Sequence, residues 1–219
     1  QMSQSLRQEV TRHGFAFFRQ YYPEMDTATI ACKLGRSLAP WQGGLIQDLV
    51  PRKIATPNTY SGIYGLDRFP FHSDLAHWRR PPRSLLLRCL VGYADIPTLL
   101  LDTKIIFKTE LMAILVRAIF RPRRPLGEQS SLLRLCTPIE NGYCFRWDEV
   151  FLKPVSKVGE IARQRLAELL PKCDSLSMAL SRTGDTLVID NWRMLHARAV
   201  IPAGRENRRI QRVYLEDLH

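Results

Sequence analysis

The most telling segment of the chain is Gly184-Asp185-Thr186-Leu187-Val188-Ile189-Asp190-Asn191-Trp192-Arg193-Met194-Leu195-His196-Ala197-Arg198. Gly184-Asp185 has turn chemistry, the apolar run Thr186 to Ile189 reads as a strand, and His196 follows it. Further on, Arg208 to Leu215 reads as a last strand. Successive side chains of a strand alternate between faces, so Arg208, Ile210 and Arg212 share one face and Arg209, Gln211 and Val213 the other. Two arginines turned inward from one strand are costly unless anions meet them. A dicarboxylate is such an anion, and a guanidinium grips a carboxylate through two parallel hydrogen bonds.

Working back toward the N-terminus, Ser156 to Leu170 reads as a charged-faced helix stopped by Pro171, and Tyr143 to Trp147 as a strand. Ile105 to Phe120 has the pattern of an amphipathic helix, ended by Arg121-Pro122-Arg123-Arg124-Pro125. Leu85 to Val91 and Thr98 to Leu101 are apolar strand candidates, and 40–71 suits loops and short strands. Ser5 to His13 is helical in pattern until Gly14 breaks it, Phe15 to Phe18 is a short strand, and Thr27 to Leu38 reads as a second helix. Many short strands, with helices mostly early and on the flanks, predict an α+β fold built on an antiparallel sandwich or barrel. The expected organisation is one domain over 1–219, with a helical N-terminal part, 1–40, packed on the sheets.

Composition narrows the class. The chain has 219 residues, 45% hydrophobic and 24% charged, which is globular rather than disordered or fibrous. Five cysteines, none spaced as Cys-x-x-Cys, argue against a disulfide framework or a structural zinc site and point to a reducing cytoplasm. No apolar run approaches the roughly 20 residues of a membrane helix. The formal charge of +11 stands out, and it suits nucleic acid, an acidic partner protein or anionic small molecules.

The chemistry starts at Phe69-Pro70-Phe71-His72-Ser73-Asp74. In an extended segment His72 and Asp74 project to the same side, where an imidazole and a carboxylate make most of a site for a divalent transition metal. One His-x-Asp arises easily by chance among five histidines and 21 acidic residues, so the third ligand carries the weight. His196 supplies it from a distant segment. Two histidines and one carboxylate on one face of a metal leave open positions, as in non-haem Fe(II) oxygenases. His77 follows His72 by five residues and, on an extended strand, faces the other way.

On these residues the chain resembles the taurine dioxygenase and clavaminate synthase-like superfamily of Fe(II)/2-oxoglutarate oxygenases, nearest its γ-butyrobetaine hydroxylase branch. FPFHSDLAHWRRPPRSLLLRC, GDTLVIDNWRMLHAR and RRIQRVYLED carry the resemblance, in the family's order. It implies a double-stranded β-helix (jelly-roll) core with flanking helices. It assigns His72, Asp74 and His196 as iron ligands and Arg208 to the 5-carboxylate of 2-oxoglutarate. Thr98 is assigned an assisting role there, although Asp95-Ile96-Pro97 replaces the family's usual residues before it. Arg212 matches an arginine that serves substrate or co-substrate. Tyr60 and Tyr214 lie in segments that border the substrate pocket in the resembled family, and Trp78 is a further aromatic candidate for its lining. A carboxylate at Asp74 disfavours halogenation.

The implied reaction couples Fe(II), O2 and oxidative decarboxylation of 2-oxoglutarate to oxidation of a C–H bond, by hydroxylation or else desaturation or cyclisation. The substrate is a small molecule, anionic or presented by an acidic carrier protein, with Arg79-Arg80-Pro81-Pro82-Arg83 and Arg121-Pro122-Arg123-Arg124 as candidate landing sites. Two alternatives remain at this level. One is a nucleotide- or nucleic-acid-modifying oxygenase, in which the two histidines stand much closer than the 124 positions that separate His72 and His196. The other is a catalytically silent binding module on the same fold.

Overall fold

The structure, a computed structural model, describes residues 5–40, 44–53, 60–124 and 132–219. Helix α1 (Leu6–His13) leads into β1 (Phe15–Phe18), and α2 (Thr27–Leu34) into β2 (Gly35–Leu38). There follow β3 (Gln47–Leu49), α3 (Tyr60–Tyr64), β4 (Phe69–His72), β5 (Ser84–Val91) and β6 (Thr98–Asp102). Two short helices, α4 (Lys104–Phe107) and α5 (Leu111–Leu115), precede β7 (Ile119–Pro122), β8 (Leu133–Arg134), β9 (Cys136–Ile139), β10 (Gly142–Phe145) and β11 (Leu152–Pro154). The chain closes with α6 (Lys157–Leu169), β12 (Leu176–Met178), β13 (Thr186–Asp190), β14 (Met194–Arg198) and β15 (Arg209–Leu218).

Local signals set several boundaries. Ser5 caps α1 with a reciprocal Ser5–Gln8 capping box, worth about 1 kcal/mol, and Gly14 ends it in the left-handed conformation at φ 84°. Asp26 and Ser156 cap α2 and α6 through the amides of Thr29 and Gly159. Two helix expectations are corrected. The second helix stops at Leu34, because from Gly35 the backbone is extended and pairs with β15. Residues 105–120 form two short helices and then β7: the Thr109 hydroxyl bonds the Ile106 carbonyl, and β7 gains partners in β8 and β11 that a helix would forgo.

Every pairing among the described strands is antiparallel. Strands β1, β13, β5, β15 and β2 run in that order, with β3 also on β15, and β12, β6, β14 and β4 form a second sheet. Residues 5–40 therefore contribute strands to the larger sheet besides helices against it. Leu85, Leu87, Leu187, Ile189, Ile210 and Tyr214 from the larger sheet meet Leu100 and Met194 from the smaller in one buried cluster, so the two sheets pack face to face. Behind the larger sheet, Leu86, Val188 and Val213 pack on Val10 of α1 and Ile30 and Leu34 of α2. Behind the smaller, Phe71, Leu101 and Leu195 pack on Leu115 of α5 and Leu166 of α6. The result is a sheet-rich mixed α/β fold with few helices. None of the five cysteines is paired, and among the described residues no helix is long and apolar enough to cross a membrane.

Candidate metal centre

Strands β4 and β14 bring the histidines together: His72 and His196 are direct cross-strand partners, with ring centroids 4.3 Å apart. Asp74 lies just past the end of β4, and the left-handed Leu75 (φ 53°) turns the chain away behind it. Asp74 Oδ1 sits 3.3 Å from His72 Nε2 and 3.2 Å from His196 Nε2. The three donor atoms all lie within 4.8 Å of one another. Ligand atoms at about 2.1 Å from a six-coordinate ion and adjacent to one another are about 3 Å apart, so the set fits a divalent transition metal. His72 Nδ1 bonds the Pro70 carbonyl at 2.9 Å, which leaves Nε2 as the lone-pair side of the ring.

The electrostatics agree with that role. Burial alone would raise the Asp74 pKa, but Arg212 and the two histidines hold it well below the usual carboxylate range. Burial and the neighbouring His72 lower the pKa of His196, which favours the neutral, ligating form. For His72 burial works in the same direction, but the contact with Asp74 outweighs it and the net shift is upward. The main chain of Asp74 is fixed as well. Its N–H donates to Asn191 Oδ1 at 2.8 Å, and Asn191 Nδ2 donates to its carbonyl at 2.9 Å and to that of Pro82 at 3.0 Å.

The triad opens into a cavity of about 560 Å³. Arg212 and Tyr214 from β15, Arg208 just ahead of that strand, Thr98 from β6 and Tyr60 from α3 all line it. Arg208 is 5% exposed, its Nε has no hydrogen-bond partner, and burial lowers its pKa to about 10. Arg212 instead donates to Asp74 Oδ2 at 3.1 Å, and the Tyr214 hydroxyl donates to the same oxygen at 2.9 Å. Tyr60 stacks on the His72 ring at 4.4 Å, and burial and the charge of Asp148 keep its phenol protonated.

Trp78 is not among the lining residues. Beyond Leu75 its N–H bonds the Leu75 carbonyl, and the buried Arg146 guanidinium gathers the carbonyls of Ala76, Trp78 and Arg79. The same turn corrects the expectation for His77: the segment is not extended there, and His77 lines the cavity, 5.3 Å from the Phe151 ring. Two further lining residues went unremarked in the sequence. Asp148 is buried beside the site with its pKa raised to about 6 by desolvation, and Arg198, two residues past His196, bonds the carbonyls of Gly65 and Asp67 at 2.8 Å. Arg198 was within reach of the alternation argument, since residues 196 and 198 share a strand face; Asp148 offered no local signal.

No protein-family model matches the chain, and a search of curated proteins finds no match. Solved structures do match. An asparagine oxygenase in complex with Fe(II), 2S,3S-3-hydroxyasparagine and succinate is 19% identical at a TM-score of 0.65, covering 83% of this chain and 60% of its own. The non-haem iron oxygenase OrfP, in complex with Fe and α-ketoglutaric acid, is 20% identical at a TM-score of 0.64, covering 83% and 59%. The PvcB protein from Pseudomonas aeruginosa is 18% identical at a TM-score of 0.68, covering 98% and 81%. This chain thus spans about three fifths of the length of the first two. It has the fold of the non-haem iron oxygenases that it resembles.

Proposed function

We propose that the chain is an Fe(II)/2-oxoglutarate-dependent oxygenase. It couples decarboxylation of 2-oxoglutarate to succinate and CO2 with C–H oxidation, hydroxylation foremost, of a small-molecule substrate. One observation carries the proposal: His72, Asp74 and His196 converge in the same cavity as Arg208, a buried cation without a protein acceptor at Nε. In this reading 1–219 form one domain, the facing sheets are the double-stranded β-helix of the taurine dioxygenase-like superfamily, and the unpaired cysteines suit a reducing cytoplasm.

Fe(II), when bound, supplies the oxidising chemistry with O2 and 2-oxoglutarate. The two histidines and Asp74 hold it and leave one face open. Arg208, with Thr98 lining the same cavity, receives the distal carboxylate of 2-oxoglutarate and so aims the other end at the metal. Tyr60 and Phe151 shield the His72 side from water. An amino acid is the substrate class favoured by the similar structures, since those carry hydroxyasparagine and (3S)-hydroxy-L-Arg. Arg52 on the cavity wall favours a substrate that is anionic or brought by an acidic carrier domain.

Anaerobic protein given Fe(II) and 2-oxoglutarate should develop a weak visible charge-transfer band, and with O2 it should release succinate. His72→Ala or Asp74→Ala should abolish both, and Arg208→Met should weaken 2-oxoglutarate binding by about 30-fold or more, the loss of a buried charge-assisted pair. A folded, metal-loaded wild type without the band would sink the assignment.

A further inference from the structure

The two oxygens of Asp74 have different surroundings. Oδ1 faces both histidines, whereas Oδ2 is turned away from them and accepts hydrogen bonds from Tyr214 and Arg212. Arg212 is steadied in turn by its Nε, which donates to Gln47 Oε1 at 3.3 Å, and its guanidinium lies 5.0 Å from the Tyr214 ring centroid. With the backbone clamped by Asn191 and Oδ2 tied to two donors, the carboxylate is fixed at both ends. Such a group cannot swing to present both oxygens to one ion.

We propose that Tyr214 and Arg212 are positioning residues that hold Asp74 as a one-oxygen ligand. The proposal rests on the metal-centre reading above. The reason is a count of positions. A six-coordinate metal held by two histidines and one carboxylate oxygen keeps three free positions, and one held by both oxygens keeps two. A co-substrate that chelates through two atoms, together with O2, needs all three. Both donors stand on the inner face of β15, two residues apart, so the strand that begins directly after Arg208 also keeps the co-substrate's coordination position open. The assignment gives Arg212 a task at Asp74, carried by its Nη1, besides the substrate or co-substrate contact that the resemblance implies.

The test uses the full chain loaded with Mn(II), which needs no turnover. Water-proton relaxation counts the exchangeable waters on the ion. Wild type should show about three, and Tyr214→Phe, which keeps the ring and removes only the hydroxyl, should fall toward two, as should Arg212→Met. An unchanged water count in both variants, with Mn(II) bound and the protein folded, overturns the proposal. A general structural role for Tyr214 would shift the melting temperature of metal-free protein without moving the count, and that outcome overturns it too. The His72→Ala variant separates the two levels: if wild type and His72→Ala both show no Mn(II) relaxation enhancement, the metal-centre reading itself has failed.

Discussion

Asp148 is 2% exposed, and burial raises its pKa to about 6 against an ordinary 3.8. A carboxyl whose folded pKa lies above its unfolded value contributes stability in its protonated form, in full below the unfolded pKa and lost as pH rises through about 6. At pH 8 the buried charge therefore costs roughly 3 kcal/mol at most, from about two units at 1.4 kcal/mol each. Asp148→Asn keeps an Oδ1 that can accept the amides of Val150 and Phe151. Chemical unfolding of metal-free protein should show this variant more stable than wild type at pH 8 and little different near pH 4; an equal gap at both would overturn the account. At this scale the sequence was legible where the chemistry was local. His72 and Asp74 are two apart, and Arg208 and Arg212 follow strand alternation. Asp148 was not legible, because groups that act on it, His72 and Tyr60 among them, lie far from it along the chain.

Elements were legible where a cap or a run of apolar residues marked them, as with α1, α6, β5 and β13. They were misread where pairing decided. Ile119 to Pro122 has helical periodicity behind it, yet hydrogen bonds to β8 and β11 make it a strand. The loop after Asp74 is shaped by contacts that no local pattern announces. Arg146, just past β10, is 5% exposed and donates to three carbonyls of that loop. A rigid planar fork serves three acceptors, and a lysine ammonium cannot reach all of them in that geometry. Arg146→Met should therefore lower stability by about 2–4 kcal/mol, with buried carbonyls left unpaired, and Arg146→Lys should recover only part of it. Denaturant titration checks this, and full recovery with lysine would show the charge, not the fork, to be what matters.

For the whole molecule, the excess of 11 positive charges sets the response to salt. Exposed pairs such as Arg7–Asp217, Arg36–Glu216 and Arg205–Asp95 contribute about 0–1 kcal/mol each and lose that little on screening. Self-repulsion acts over longer distances, and raising ionic strength from 0.01 to 0.15 M shortens the screening length from about 30 to about 8 Å. The melting temperature should rise over that range; a fall would mean the local pairs outweigh the net repulsion. Two layers of helix enclose two facing sheets, and β15 belongs to both concerns at once: Val213 and Leu215 face the helices while Arg212 and Tyr214, with Arg208 just ahead of the strand, face the cavity. The consequence is one of parity. The strand already carries two register shifts, between Arg209 and Ile210 against β5 and between Leu215 and Asp217 against β2, and Leu218 packs in the same cluster as Val213 and Leu215 despite the odd spacing. Between the two shifts, from Ile210 to Leu215, alternation is strict, so a residue added there without a new bulge would exchange the chemistry of the two sides for every position between it and the next shift.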